Sequence, residues 1–198
     1  SMIAEWSHNY DKGLNTGILL WDLSSAFDTI DIGLLCKKLA IFGVDTSSIS
    51  WLKSFLTNRK QIVQVGSSLS EPVSISTGCP QGGLLSPLIF LIYIADMELW
   101  VNHASVRGYA DDTATSVAAP MEEEVIAKLE ADAKKILQYM ASNSLSANPK
   151  KTGFLLIRTK KSEQRNIRVG EEIIMERDHH DVLGISINNT LSWNDHIN

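Results

Sequence analysis

Val106-Arg107-Gly108-Tyr109-Ala110-Asp111-Asp112-Thr113-Ala114-Thr115-Ser116-Val117 reads as two short strands folded back on each other around a pair of aspartates. β-Branched and aromatic residues on both sides suit extended backbone, and so short a connection makes an antiparallel hairpin. The tip, placed between Tyr109-Ala110 and Thr113-Ala114, is unusual for such a turn. Two-residue turns favour Asn-Gly or Asp-Gly, because the backbone there needs positive φ. Two unit charges about 4 Å apart repel by roughly 1 kcal/mol in water and roughly 4 kcal/mol at an effective dielectric of 20. A divalent cation would turn that repulsion into attraction. Alone, an acidic dipeptide at a turn is more often a solvated loop.

Upstream of the hairpin, residues 86–102 read as a helix with Pro87 in its first turn, where no N–H is missed. Residues 61–65 alternate and stop at Gly66, and residues 73–76 pair with them as a hairpin. Residues 47–56 and 28–39 carry apolar side chains at helical spacing, with Asp28 capping the latter helix. Gly17-Ile18-Leu19-Leu20-Trp21-Asp22-Leu23 is a buried strand, and residues 3–13 form a helix stopped by Gly13. Downstream, Pro120 opens a long helix to about residue 142, whose Glu122, Glu123 and Glu124 suit the positive end of its dipole. A turn at Asn148-Pro149 leads into strands at 153–159, 167–169, 172–175 and 182–187, with His179-His180 in a loop before the last. Hairpins mixed with helices predict an α+β domain, an antiparallel sheet with helices on one face.

The composition suits that class. The chain has 198 residues, 44% hydrophobic and 21% charged, with neither a repeat nor a Pro/Gly/Ser-rich linker, as one ordered domain should. Its most apolar stretch, residues 84–95, is too short to span a bilayer. Ser1-Met2 reads as a cloning remnant outside the domain, which is taken as residues 3–198. Cys36 and Cys79 have no metal-type spacing and suit a reduced, intracellular protein, nuclear or cytoplasmic. A net charge of −5 argues against a nucleic-acid-binding surface spread over the whole chain, because phosphate contacts need Lys and Arg.

Asp22 ends an apolar strand, where an ionised carboxylate needs a partner. An isolated aspartate at such a place is usually a satisfied turn or cap residue. Three carboxylates on two neighbouring strands would instead suit nucleotidyl transfer. One metal activates a 3′-hydroxyl there and a second, ~3.5–4 Å away, steadies the triphosphate. Mg²⁺ prefers a few carboxylates plus substrate phosphates to an all-protein cage.

Trp21-Asp22-Leu23-Ser24-Ser25-Ala26-Phe27-Asp28, then Gly78-Cys79-Pro80-Gln81-Gly82-Gly83-Leu84-Leu85-Ser86-Pro87-Leu88-Ile89-Phe90, then Tyr109-Ala110-Asp111-Asp112 resemble polymerase motifs A, B and C of reverse transcriptases. Asn148-Pro149-Lys150-Lys151-Thr152 resembles motif D and Val182-Leu183-Gly184-Ile185 motif E, in the variant of non-LTR retrotransposons. Each piece is weak alone; five in order, from about residue 15 onward, are specific. The resemblance implies a reverse transcriptase palm with partial fingers. Its activity would be RNA-directed DNA polymerisation with Mg²⁺, or Mn²⁺, and its partners an RNA template, a DNA primer and deoxynucleoside triphosphates.

It further implies that Asp22 and Asp111 are the principal metal ligands, with Asp112 assisting. Leu23, Phe27, Gln81, Gly82 and Lys151 would bind nucleotide. Phe27 would be the steric gate against a 2′-hydroxyl, and Lys151 a possible general acid. Leu183 and Gly184 would belong to the primer grip. Without the motif, Phe27 would be an ordinary core residue and Lys151 a solvated turn lysine. Trp21 stands where the family pattern has a small or aliphatic residue. Most of the fingers and the thumb are expected in other segments of the parent protein, and the basic charge with them. A non-catalytic palm kept as a binding or assembly scaffold is the competing expectation. A metal-dependent nuclease shares the carboxylates but leaves Phe27 and residues 78–90 unexplained.

Overall fold

The computed structural model describes residues 2–109, 112–148, 150–160, 162–182 and 185–191. The chain begins with α1 (Met2–Asp11), β1 (Asn15–Trp21), α2 (Ile32–Ile41) and α3 (Thr46–Leu56). Short strands β2 (Arg59–Gln61), β3 (Gln64–Val65), β4 (Ser68–Leu69) and β5 (Val73–Ile75) follow. Next come α4 (Ser86–Ile94), a 3-10 segment (Ala95–Trp100), β6 (Ser105–Tyr109), β7 (Asp112–Ala119) and α5 (Glu122–Ser142). The rest is β8 (Gly153–Ile157), β9 (Asn166–Val169), β10 (Glu172–Met175), β11 (His179–Val182) and β12 (Ile185–Asn188).

Four strands make the central sheet, in the order β6-β7-β1-β8, and every pair is antiparallel. β1 is buried from its second residue onward because both its faces are covered. Leu19, Trp21 and Val117 pack with the helical layer, including Val125, Leu129 and Ile136 of α5. Ile18, Leu20, Ala114 and Leu155 face the other way, onto Trp6 of α1 and Ile187 of β12. Gly17 is what lets α5 come down on the sheet. A Cβ there would lie 2.5 Å from Val125 Cγ1 and 2.6 Å from Leu129 Cδ1.

A second device joins helices to the sheet. Asp132 of α5 is 1% exposed, and its carboxylate accepts the N–H groups of Asn102, His103 and Ala104 at 3.0, 2.7 and 2.7 Å. Three amides satisfy the buried carboxylate and fix the entry into β6, the strand that precedes Asp111 and Asp112 in the sequence. Lys38 of α2 is 5% exposed and donates to Asp96 Oδ1 at 2.6 Å, Tyr93 O at 2.7 Å and Tyr139 Oη at 3.0 Å. That network ties α2 to α4, the 3-10 segment and α5.

Several local expectations shift. Asp28 does not cap α2; Asp31 does, its Oδ1 accepting from Leu34 N at 2.8 Å. The intervening residues turn instead, with Ser25 at φ 50° and Asp28 N–H bonded to Ser25 O at 2.9 Å. The hairpin of residues 61–76 is nested: β2 pairs with β5, and β3 with β4. The helix from Ser86 tightens into the 3-10 segment after Ile94. Tyr109 pairs with Asp112, so Asp112 begins β7 instead of sitting at the tip. His179 and His180 belong to β11, which pairs with β12. Met2, expected outside the domain, opens α1 and packs on the second core cluster.

Candidate active site

Strand pairing brings the first carboxylates together. Trp21 lies opposite Thr113 at the end of the β1–β7 ladder, and Asp22 follows the one as Asp112 precedes the other, so both leave the same end of the sheet. Both aspartates line a cleft of about 260 Å³ with Lys151, His180 and Asp181. The Lys151 ammonium is 3.9 Å from Asp22 Oδ1, with both side chains partly exposed.

Lys151 reaches Asp22 because the chain around residue 148 is laced to the end of β1. Asn148 N–H donates to Asp22 O at 2.7 Å and Ser24 N–H to Ser146 O at 2.8 Å, and Leu23 forms a bridge with Ala147. Lys151 N–H then turns back onto Asn148 O at 3.1 Å. The expected motifs A and D are one backbone unit.

His180 enters from β11 over Gly153. A Cβ on Gly153 would come within 3.0 Å of His180 Cε1. Burial, and next the Arg177 charge, hold the His180 imidazole below its usual range, while Asp181 and Asp112 pull the other way. Its Nδ1 lies 3.2 Å from Arg177 Nη1. Nothing in the sequence pattern marks this residue. A polar strand that borders the cleft has no alternation to read.

The expected motif B loop interlocks with the turn after Asp22. Gly78 N–H donates to Ile30 O and Cys79 N–H to Phe27 O, both at 2.8 Å. Gly78 has φ +75°, and a Cβ there would sit 2.7 Å from Asp28 Cα, so only glycine fits. Gln81 Nε2 donates to both Asp28 carboxylate oxygens, at 2.9 and 3.0 Å. Asp28, Gln81, Arg59 and Lys60 line a second opening of about 800 Å³. Phe27 is half-buried between these regions, its ring 5.2 Å from that of Phe90.

Of the expected site residues, Asp22, Asp112 and Lys151 therefore share one cleft, and Gln81 lines the other. Leu23 is buried in the helix-side core, so only its backbone touches the site region. Gly82 is exposed with φ +74° and nothing within 4 Å of a Cβ, and it borders neither opening. Asp111, Leu183, Gly184 and Pro149 lie outside the described residues. Among the described residues, no three His, Cys, Asp or Glu side chains converge on a metal position. Two carboxylates lining an open cleft still fit a hard divalent cation, which takes few protein oxygens and completes its shell from substrate and water.

Comparison with known proteins places the chain among its relatives. The probable RNA-directed DNA polymerase from transposon BS of Drosophila melanogaster is 26% identical over 186 residues, covering 89% of this chain and 20% of that protein. The RNA-directed DNA polymerase from the mobile element jockey of the same organism is 24% identical over 184 residues, again covering 89% and 20%. The chain thus spans about a fifth of the length of these relatives. Among solved structures, Candida Tropicalis telomerase in complex with a TWJ fragment of telomeric RNA aligns with a TM-score of 0.65. The identity is 13%, covering 96% of this chain and 32% of that one, a likeness of fold. The model of the family described as "Reverse transcriptase (RNA-dependent DNA polymerase)" matches residues 2–187, and the chain belongs to that family.

Proposed function

We propose that this chain is the palm-centred core of an RNA-directed DNA polymerase that extends a DNA primer on an RNA template. The observation that carries the reading is the one cleft that Asp22, Asp112 and Lys151 line together, with the Lys151 ammonium 3.9 Å from Asp22 Oδ1. Divalent cations, Mg²⁺ or Mn²⁺, held by Asp22, Asp111 and Asp112 would activate the primer 3′-hydroxyl and neutralise the triphosphate. Lys151, beside Asp22, would approach the triphosphate and give a proton to the departing pyrophosphate oxygen. Phe27 would lie under the sugar and exclude a 2′-hydroxyl. Gln81 and Gly82 would border the nascent base pair, with the Leu23 backbone alongside. Leu183 and Gly184, between β11 and β12 in the sequence, would steady the primer end.

The rest of the fingers and the thumb would come from other segments of the parent protein, carrying the basic grip that a chain of net charge −5 supplies poorly. Among the described residues, no helix is long and apolar enough to cross a membrane. Free Cys36 and Cys79 suit an intracellular setting.

The test joins Mn²⁺ binding by this chain to primer extension by the same chain fused to fingers and thumb segments. Asp22→Ala should abolish metal-dependent synthesis on an RNA template and weaken Mn²⁺ binding by ~10-fold or more, with the fold retained. Undiminished synthesis by the variant would refute the assignment. Metal binding by a fused protein that never extends a primer would favour the scaffold.

A further inference from the structure

Arg59 is the first residue of β2, far from the aspartates, and no motif includes it. Its guanidinium gathers three main-chain carbonyls. Nε donates to Leu56 O at 2.8 Å, and Nη2 to Thr77 O at 2.7 Å and Gly78 O at 2.5 Å. Leu56 closes α3, while Thr77 and Gly78 begin the loop that carries Gln81. That loop is gripped on its far side by the turn after Asp22, through Gly78 N–H, Cys79 N–H and the Gln81 amide. Three of the five N–H donors of this guanidinium are directed at backbone oxygens. Such a fork fixes direction, which a single ammonium cannot do.

We propose that Arg59 is a positioning residue: it holds the loop of residues 77–83 closed on the Phe27–Asp28 turn, and so sets the placement of Gln81 and Phe27 together. The assignment of the loop to a nucleotide site rests on the polymerase reading; the clamp itself rests on the hydrogen bonds alone.

Cys79 reports on the clamp directly. Cys79 is 3% exposed, with its thiol 3.6 Å from Phe27 O, at the inner wall of the opening that Arg59 also lines, so a thiol reagent reaches it slowly while the loop is closed. Cys36 is half-buried on α2 and serves as an internal control. Burial holds the Cys79 thiol above its usual pKa, while the Arg59 charge acts the other way. Removing that charge alone would therefore leave less thiolate and slow labelling. Faster labelling thus reports better access to the thiol, which the Cys36 rate separates from general loosening of the domain.

In this chain carrying Arg59→Met, labelling of Cys79 by iodoacetamide, followed by peptide mass spectrometry, should accelerate by about tenfold or more. Charged hydrogen bonds lost from the closed state raise the open fraction exponentially. Cys36 should label at its original rate, and Arg59→Lys should fall between. An unchanged Cys79 rate in a folded Arg59→Met protein would overturn the proposal. So would parallel acceleration at both cysteines with a falling Tm, which marks general loosening. In the same proteins, the Kd for dTTP with Mn²⁺ should rise severalfold in Arg59→Met and recover in part in Arg59→Lys. A wild-type chain that binds no dTTP would count against the polymerase reading while the Cys79 result still decides the clamp.

Discussion

Replacing Gly17 by alanine adds one methyl group at the most crowded point between the sheet and α5. The new Cβ would stand 2.5 Å from Val125 Cγ1 and 2.6 Å from Leu129 Cδ1, against ordinary carbon separations of ~3.5–4.0 Å. Relief needs a shift of about 1 Å. Val125 is fully buried and Leu129 nearly so, and the β-branched Val125 has little rotamer freedom in a helix. β1 is hydrogen-bonded to strands on both sides, so it cannot retreat alone. Overpacking of this kind costs about 1–3 kcal/mol.

Val125→Ala should itself cost about 1–3 kcal/mol through the cavity it opens. Together the two changes should cost less than their sum by ~1 kcal/mol or more, because the second methyl fills the space left by the first. Urea unfolding followed by tryptophan fluorescence measures all four corners of the cycle. A neutral Gly17→Ala, or strictly additive costs, would show that α5 does not rest on this glycine. Since β1 runs directly into Asp22, the single variant should also impair metal binding more than its stability loss predicts.

Phe27→Val, in a polymerase-competent fusion, should raise the rNTP/dNTP ratio of kcat/KM by ~10-fold or more while lowering stability by about 1–2 kcal/mol, a fraction of a full core truncation because the ring is only half-buried; an unchanged ratio with a large stability loss would make Phe27 a plain core residue. Lys38→Met should cost ~2–4 kcal/mol in urea unfolding, less than a wholly buried pair would, since Asp96 keeps the Tyr139 donor. Burial raises the Tyr93 and Tyr139 phenols above their usual 10.0; above that pH the unfolded chain loses protons that the native state keeps, and stability should fall. Lys38 has its pKa lowered from 10.5, chiefly by burial, so below 10.5 the unfolded chain holds the extra proton and stability gains as pH rises. Lys38→Met should lose that gain and decline more steeply in alkali, as Tm against pH would reveal.

Local pattern and motif order make part of this fold legible in the sequence. The strand just before Asp22 shows as a continuous apolar run, buried on both faces, and the long helix α5 as apolar residues at helical spacing facing the core. The start of α2 is ambiguous in sequence because Asp28 and Asp31 both precede apolar runs, and only the turn at Ser25 decides between them. The nested strands β2 to β5 are hidden for a different reason. Val65, Leu69 and Val73 are 75%, 66% and 65% exposed, so alternation there marks no buried face and cannot fix register. The place of His180 at the cleft arises from β11 crossing Gly153, a tertiary event without a local signature. Arg59 has the pattern of a surface cation, and its three carbonyl partners come from segments that only the folded chain brings together.

The register between β1 and β7 has one consequence for how such a protein can diverge. Trp21 Nε1 donates to Thr115 Oγ1 at 3.0 Å, a diagonal link between strands that pair residue by residue from Asn15 to Trp21. Sliding one strand past the other by two residues would displace Asp22 from Asp112 by ~7 Å, further than two metal ions stand apart. The spacing between the carboxylates is thus written in main-chain pairing, which takes little notice of side-chain identity. Substitutions can accumulate over the rest of the domain without moving that frame. A common fold at 13% identity, with a TM-score of 0.65, shows how far side chains can change while such a main-chain frame is kept.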